Sequence, residues 1–192
     1  MKLLGISGSL MKSARTRTAV QFTLDAARRL FPGLEVELLD LRDWKVSLMD
    51  GRSLTEYPDD TVRAVDKVQQ ADCVVIGSPI YRATYTGALK NFLDHLPLEA
   101  LMGKVVGLIA TGATPHHYLA IDHELRTVMA WFNAYSLPGS VYVENSHFRD
   151  EALADERVRA HLEQLAGSVV LTAEKLRGVP AEPPPLAAWA RG

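Results

Sequence analysis

The sequence predicts an α/β fold in which a five-stranded parallel sheet is covered by helices on both faces. Two observations lead to this prediction. Five short runs are rich in apolar residues, as is typical of strands buried on both faces of a sheet. Segments with apolar residues at helical spacing separate these runs, so that strands and helices alternate along the chain. The crossovers between such strands are expected to be right-handed.

The first half of the chain contains three of the predicted strands. They are KLLGIS at residues 2–7, LEVELLDL at 34–41 and CVVIGS at 73–78. A helix is predicted at 16–30, because its apolar residues recur every three or four positions. Another is predicted at 59–71, where Asp59 and Asp60 suit the positive end of the helix dipole. The polar stretch before this helix is too long for a simple turn, and we expect it to form a functional loop.

The second half of the chain completes the alternation. The remaining strands are KVVGLIAT at residues 104–111 and GSVYVEN at 139–145. Helices are predicted at 86–96, 115–134 and 150–176. Pro97 is expected to end the first of these helices, and Thr114 with Pro115 to begin the second.

The length of 192 residues suits one domain, which we expect to cover residues 1–176. Residues 177–192 form a proline-rich tail. The tail is either a disordered end or an arm that docks on a neighbouring subunit through Leu186 and Trp189.

Composition and charge exclude several classes of protein. A net charge of −2 gives no reason to expect a nucleic-acid partner. No apolar run approaches the roughly 20 residues of a membrane helix, and the chain does not open with a signal-peptide pattern, so a cytoplasmic location is expected. The lone Cys73 lies in a predicted buried strand, where we expect a plain core role. The histidines lack a metal-binding spacing, so no metal site is predicted.

The loops at one edge of the predicted sheet carry the candidate functional residues. Ligands of open parallel sheets bind beyond the carboxyl ends of the strands, where the strand order reverses. In the flavodoxin-like order 2-1-3-4-5, this point lies at strands one, three and four. The loop after strand one, SGSLMKSARTRTAV, has no dinucleotide or Walker fingerprint. It places several hydroxyl groups with Arg15 and Arg17 at a helix N-terminus, which suits a terminal phosphate. The alternative is that one hydroxyl only caps the helix.

The loops after strands three and four add aromatic and hydroxyl side chains. GSPIYRATYTGALKNFLD at 77–94 brings Tyr81 and Tyr85 to the sheet edge, where they suit a planar heterocycle or simply cover the rim of the core. In TGATPHH at 111–117, Gly112 permits a close approach to the backbone. One loop for a phosphate beside two loops for a flat ring indicates FMN.

The same stretches resemble the NAD(P)H-dependent FMN reductases. The segment 77–94 is similar to that family's signature P-x-Y-x-x-x-x-x-G-x-L-K-x-x-x-D, with matches at Pro79, Tyr81, Gly87, Leu89, Lys90 and Asp94. GISGSLMKSARTRT and GLIATGATPHHYLAIDHELRTVM are also similar to segments of the family, and the resemblance extends to about residue 176. It implies a flavodoxin-like three-layer sandwich that binds FMN and reduces it with NADPH or NADH.

The resemblance also implies which residues hold the flavin. The FMN phosphate would be bound by Ser9, Arg15, Arg17 and Thr18. The ring would lie against Pro79, Ile80, Tyr81 and Arg82, with Thr111 and Gly112 at its other border. No catalytic acid or base is predicted, because hydride transfer requires stacked rings, which the protein mainly orients.

The resemblance is closest to the sulfonate-scavenging FMN reductases of sulfur metabolism. These enzymes are the small partners of two-component flavin monooxygenases, so the implied role is to supply FMNH₂ to such a monooxygenase. A homotetramer or homodimer is implied as well. In this subgroup the fourth helix can contain a single wide turn at the subunit interface, and His123 falls at that place.

Two other functions remain open from the sequence. One is a flavoprotein that retains FMN and reduces quinones or azo dyes. The other is an electron carrier like flavodoxin, although the small net charge does not favour a carrier steered by an acidic surface. The sequence does not distinguish NADH from NADPH. Arg82, Arg126 and Arg149 are candidates for a 2′-phosphate, and Arg82 and His123 are candidates for contacts with the nicotinamide nucleotide.

Overall fold

The computed structural model of the chain describes residues 1–12 and 15–179. Its main strands are β1 (Lys2–Ser7), β2 (Glu35–Asp40), β3 (Cys73–Pro79), β4 (Val105–Gly112) and β5 (Tyr135–Glu144). They form one parallel sheet of five strands in the order β2-β1-β3-β4-β5. The predicted flavodoxin-like α/β fold is confirmed.

Helices pack on both faces of the sheet, which gives three layers. They are α1 (Arg15–Leu30), α2 (Thr61–Gln70), α3 (Gly87–Asp94), α4 (Arg126–Trp131) and α5 (Glu156–Lys175). Side chains of α1 and α5 form the core on one face, and those of α2, α3 and α4 form the core on the other. Cys73 is buried in the first of these cores, and burial raises the pKa of its thiol to about 12, as expected for a core residue.

Helix α1 crosses β1 and β3 at positions where both strands lack side chains. A Cβ atom at Gly5 would lie 2.6 Å from Val20, and one at Gly77 would lie 2.5 Å from the same side chain. Non-bonded carbon atoms do not approach each other this closely, so the absence of side chains at the two glycines allows α1 to lie against the sheet. The N-terminus of α1 is thereby held beside the carboxyl ends of β1 and β3.

The segment predicted as one helix at 115–134 is divided into three parts. Pro115–His117 forms a 3₁₀ turn, Ile121–Leu125 forms a π-helix, and α4 follows it. The wide turn considered at His123 is therefore present. Asn133 has a φ of 55°, which a right-handed helix does not allow, so the helix ends early and β5 begins before the predicted residue 139.

The last predicted helix begins later than expected. A hairpin of β6 (Phe148–Arg149) and β7 (Ala152–Leu153) precedes it, with Asp150 and Glu151 at positive φ in the turn. The carboxylate of Asp155 then caps α5 by accepting backbone N–H groups of its first turn. The prediction of a helix from residue 150 was wrong because this turn lacks the glycine that usually marks a tight hairpin.

Two features concern the described part of the chain as a whole. None of its helices is long and apolar enough to cross a membrane, and none of its side-chain clusters has the composition of a metal site. Leu186 and Trp189 of the tail lie outside the described residues, as does Ser13 of the first loop.

Candidate functional site

The carboxyl ends of β1, β3 and β4 meet at one edge of the sheet, and hydrogen bonds join the loops that follow them. The Gly8 N–H donates to the Gly77 carbonyl at 2.8 Å, and the Ile80 N–H donates to the Thr111 carbonyl at 2.8 Å. The Thr86 hydroxyl caps α3 and also donates to the Gly8 carbonyl at 2.6 Å. These bonds fix the three loops relative to one another.

Hydroxyl groups line the inner side of the loop after β1. The hydroxyls of Thr16 and Thr111 are hydrogen-bonded at 2.7 Å, which ties the first turn of α1 to the end of β4. The buried Ser9 hydroxyl accepts the Met11 N–H at 3.3 Å. Ser7 is fully buried, and its hydroxyl has no hydrogen-bond partner among the described residues. A buried hydroxyl without a partner is uncommon.

Arg15, Arg17 and Thr18 lie in the first turn of α1. The Arg17 guanidinium lies 3.6 Å from the buried carboxylate of Asp40, so part of its charge is already compensated. The Arg15 guanidinium lies over the Phe148 ring, 5.8 Å from its centroid, and pairs with no carboxylate of the described residues. Arg15 is therefore the more available cation for an anionic ligand at this helix N-terminus.

The loop between β3 and α3 begins with a strained turn. The Tyr81 N–H donates to the Thr84 carbonyl at 2.8 Å, and the Thr84 N–H donates to the Tyr81 carbonyl at 3.2 Å. Between them, Arg82 has a φ of 52° and Ala83 a φ of 67°. Two positive φ angles are typical of a type I′ turn, which glycine and asparagine usually supply. A side chain on such residues is unfavourable, and this kind of strain clusters at functional sites.

The Ala83→Gly substitution is expected to raise the free energy of unfolding by about 1 kcal/mol, because glycine adopts a positive φ without the steric penalty of a Cβ atom. Urea unfolding followed by circular dichroism measures the change. Ala120→Gly is the matched control, since Ala120 has a helical φ of −59° and the same substitution should lower stability by about 1 kcal/mol there. Losses of the same size at both positions would contradict the assignment of strain to this turn.

A cavity of about 570 Å³ opens between the loops after β3 and β4. Its lining consists of Ile80, Tyr81, Arg82, Gly112, Ala113, Thr114, His117 and Tyr142. The Tyr142 hydroxyl donates to the Thr114 carbonyl at 2.7 Å. Burial is the main cause that raises the pKa of this phenol, and the nearby Glu144 carboxylate raises it further. A Cβ atom at Gly112 would lie 1.8 Å from the Tyr142 oxygen, so only glycine fits beside this tyrosine.

Tyr142 was not among the residues predicted for the site. The prediction considered only the loops after the first, third and fourth strands, whereas Tyr142 lies within β5, opposite Ala110 of β4. A tyrosine near the carboxyl end of the strand next to β4, on the same face as Gly112, is the signal that points to it.

The structure brings the predicted residues together in two groups. Four of them line the cavity, namely Ile80, Tyr81, Arg82 and Gly112. Pro79 and Thr111 are buried register partners at the base of the same edge. Ser9, Arg15, Arg17 and Thr18 do not line the cavity but lie on the neighbouring loop and the first turn of α1.

The π-helix lies next to this site in sequence but is separate from the cavity. His123 is 86% exposed, and its Nδ1 lies 2.9 Å from Glu124. The Thr127 hydroxyl donates to the His123 carbonyl at 2.8 Å, which satisfies a carbonyl at the wide turn. The placement of His123 at a subunit interface stays a prediction.

The edge has the properties that FMN requires. Its cavity lies within the range of about 300–1,000 Å³ of small-molecule sites. The Arg82 and Ala83 backbone N–H groups donate to no acceptor within the described part of the chain. They are therefore free to donate hydrogen bonds to polar atoms at the edge of a flavin ring. The cavity lining contains no carboxylate that would repel an anionic cofactor. The residues present therefore fit a flavin ring and a phosphate.

Comparison with known proteins shows the family. Residues 1–148 match the model of the NADPH-dependent FMN reductases. An NAD(P)H-dependent FAD/FMN reductase of Geobacillus thermodenitrificans is 43% identical, over 88% of this chain and 92% of its own length. The NADH-dependent FMN reductase SfnF of Pseudomonas fluorescens is 32% identical, over 84% and 86%. The apo crystal structure of the NADH:FMN oxidoreductase EMOB has a TM-score of 0.75 at 28% identity, with 89% of each chain covered. On these grounds, the chain belongs to the NADPH-dependent FMN reductase family.

Proposed function

We propose that this member of the family uses NAD(P)H to reduce FMN at the edge formed by β1, β3 and β4, and that it releases FMNH₂ to a separate flavin-dependent monooxygenase. The observation that carries the proposal is the cavity between Tyr81 and Gly112, at the topological switch point of the sheet. Relatives that reduce flavins with either nicotinamide nucleotide support the first part. The SfnF relative supports the second part only by its similarity.

In this proposal the two groups of residues bind different parts of FMN. Ser9, Arg15, Arg17 and Thr18 hold the phosphate at the N-terminus of α1, where backbone N–H groups and cations favour an anion. The backbone of Ile80, Tyr81 and Arg82 faces one side of the ring, and Thr111 with Gly112 borders the other. Bound FMN supplies the redox chemistry, since it accepts the hydride that NAD(P)H donates. The chain's own contribution is to hold FMN and NAD(P)H and to orient them relative to each other.

The openness of the site favours a flavin that leaves after reduction. Tyr81 on the β3 side of the cavity is 45% exposed, and Ala113, Thr114 and His117 on the β4 side are also exposed. Arg17 shares its charge with Asp40, which weakens its hold on a phosphate. A dedicated carrier or a flavin-retaining reductase gains from deeper burial of the ring, whereas a supplier of FMNH₂ requires exchange.

Anaerobic stopped-flow absorbance tests the proposed reaction. Mixing the protein with FMN and NADH or NADPH is expected to bleach the visible absorbance of many flavin equivalents per protein. Ultrafiltration should then recover the flavin in the filtrate. Absence of bleaching with both nucleotides would remove the proposal. Retained yellow colour with rapid quinone or azo-dye turnover would favour the flavin-retaining reductase, and a slow reaction with a stabilised semiquinone would favour the carrier.

The assembly and setting of the enzyme belong to the same proposal. We place residues 1–176 in one flavin-binding domain of a cytoplasmic homodimer or homotetramer. The exposed Trp131 and the partly buried Val128, in a groove between α3 and α4, form an apolar surface that is suited to a subunit contact. Light scattering coupled to size exclusion measures the state. A monomer at micromolar concentration would contradict this part.

A further inference from the structure

Arg82 is a cation without a partner at the mouth of the cavity. Its side chain is exposed and lines the cavity, and it forms no ion pair or hydrogen bond with the described residues. The other two arginines considered for the nicotinamide nucleotide are placed differently. The Arg126 guanidinium bonds to Asp122 and to backbone carbonyls of β5, and Arg149 lies outside the cavity lining.

The surroundings of Arg82 also favour an anion. His117 lines the same cavity and can donate a hydrogen bond from its ring. Thr114 is also part of the lining, and its hydroxyl lies 3.1 Å from Nδ1 of His116. The lining contains neither aspartate nor glutamate. The cavity lining therefore presents a guanidinium and no carboxylate that would repel an anionic group.

The backbone that carries Arg82 is fixed despite its strain. Mutual Tyr81–Thr84 hydrogen bonds close the turn, and the Ile80 N–H anchors its start to β4. A non-glycine residue with a φ of 52° persists only where the surrounding structure imposes it. The backbone of Arg82 can thus face the flavin ring while its side chain points to solvent, where a second ligand arrives.

The chemistry of the dinucleotide decides which of its groups can reach this position. The nicotinamide must stack on the flavin ring, and a single ribose separates it from the diphosphate. The 2′-phosphate of NADPH belongs to the adenosine at the far end. We infer that Arg82, together with His117, binds the diphosphate of NADH and NADPH alike and so positions the nicotinamide over the flavin. This inference rests on the proposed function.

The matched experiment uses ADP-ribose, which carries the diphosphate without a nicotinamide or a 2′-phosphate. Isothermal titration of FMN-loaded protein is expected to show that Arg82→Ala weakens ADP-ribose binding about 10-fold or more, the effect of losing charge-assisted hydrogen bonds. Alanine keeps the Cβ atom and hence the strained turn. Arg82→Lys should retain part of the affinity, because it keeps the charge and loses only the bidentate geometry.

Three controls separate this role from others. Arg28→Ala removes the same charge at the C-terminal end of α1, and its ADP-ribose affinity should equal that of the wild type. All titrations are run at FMN concentrations that saturate each variant, as checked by fluorescence, so that a change in flavin affinity does not enter the comparison. In steady state, the KM values for NADH and NADPH should rise by the same factor while kcat changes little, as expected for a residue that binds the nucleotide before and during the reaction.

Three outcomes would overturn the inference. They are an unchanged ADP-ribose affinity in Arg82→Ala, an equal loss in Arg28→Ala, and a loss confined to NADPH. The loss confined to NADPH would assign Arg82 to the 2′-phosphate instead. Failure of the proposed function is distinguished beforehand, since wild-type protein would then neither quench FMN fluorescence nor bleach the flavin.

Discussion

Gly112→Ala is expected to lower the affinity for FMN roughly 10- to 100-fold, the range of about 1–3 kcal/mol that overpacking typically costs. The added Cβ atom would meet the Tyr142 oxygen at 1.8 Å, so the tyrosine must leave its position and enter the cavity. Its hydrogen bond to the Thr114 carbonyl would be lost at the same time. Quenching of FMN fluorescence during titration with protein measures the affinity.

Gly87→Ala is the control for this substitution. A Cβ atom at Gly87 meets nothing within 4 Å, although the residue belongs to the family's signature segment at 77–94. FMN affinity should therefore be unchanged. Tyr142→Ala added to Gly112→Ala removes the clashing side chain and should recover part of the affinity. If Gly112→Ala binds FMN as tightly as the wild type, the ring does not occupy the cavity beside Gly112.

Gly77→Ala is expected to lower the free energy of unfolding by about 1–3 kcal/mol. Its Cβ atom would lie 2.5 Å from Val20 and 3.2 Å from Thr16, and it would push α1 away from β3. Thermal and urea unfolding measure the loss. Because Thr16 bonds to Thr111 across the same contact, the displaced helix should also weaken FMN binding.

A double-mutant cycle with Val20→Ala identifies the clash as the cause. Val20→Ala alone leaves a cavity, but in combination with Gly77→Ala it provides the room that the new methyl group needs. The double variant should therefore be more stable than the sum of the two losses predicts. Strict additivity would show that the Val20 contact is not what excludes a side chain at Gly77. Gly139→Ala, in open space, is the control and should change stability little.

The central strands were predictable because burial on both faces leaves a run of apolar residues, whereas the strand order was taken from the flavodoxin-like fold. The run CVVIGS is apolar on both sides of the sheet, and the structure buries every residue of β3. The ends of elements were less predictable. Asn133 ends one helix by its positive φ, and the turn at Asp150 inserts a hairpin, and both depend on backbone conformations that these residues adopt only in context.

The candidate site shows the same division. Local spacing was sufficient to select Tyr81 and Gly112, since each follows a buried strand directly. The ion pair of Arg17 with Asp40 and the role of Tyr142 depend on neighbours that are distant in sequence, so no local pattern indicated them. The wide turn at His123 was predicted only from the resemblance to a family. Its single extra residue changes the spacing of the apolar residues too little to be detected in the sequence.

A crystal structure of the protein soaked with FMN tests the central claim most directly. The account predicts a flavin ring in the cavity, in contact with the backbone of Tyr81 and Arg82 on one side and of Gly112 on the other, with its phosphate at the N-terminus of α1. A flavin bound anywhere else on the molecule, or a phosphate directed away from Arg15, would contradict it.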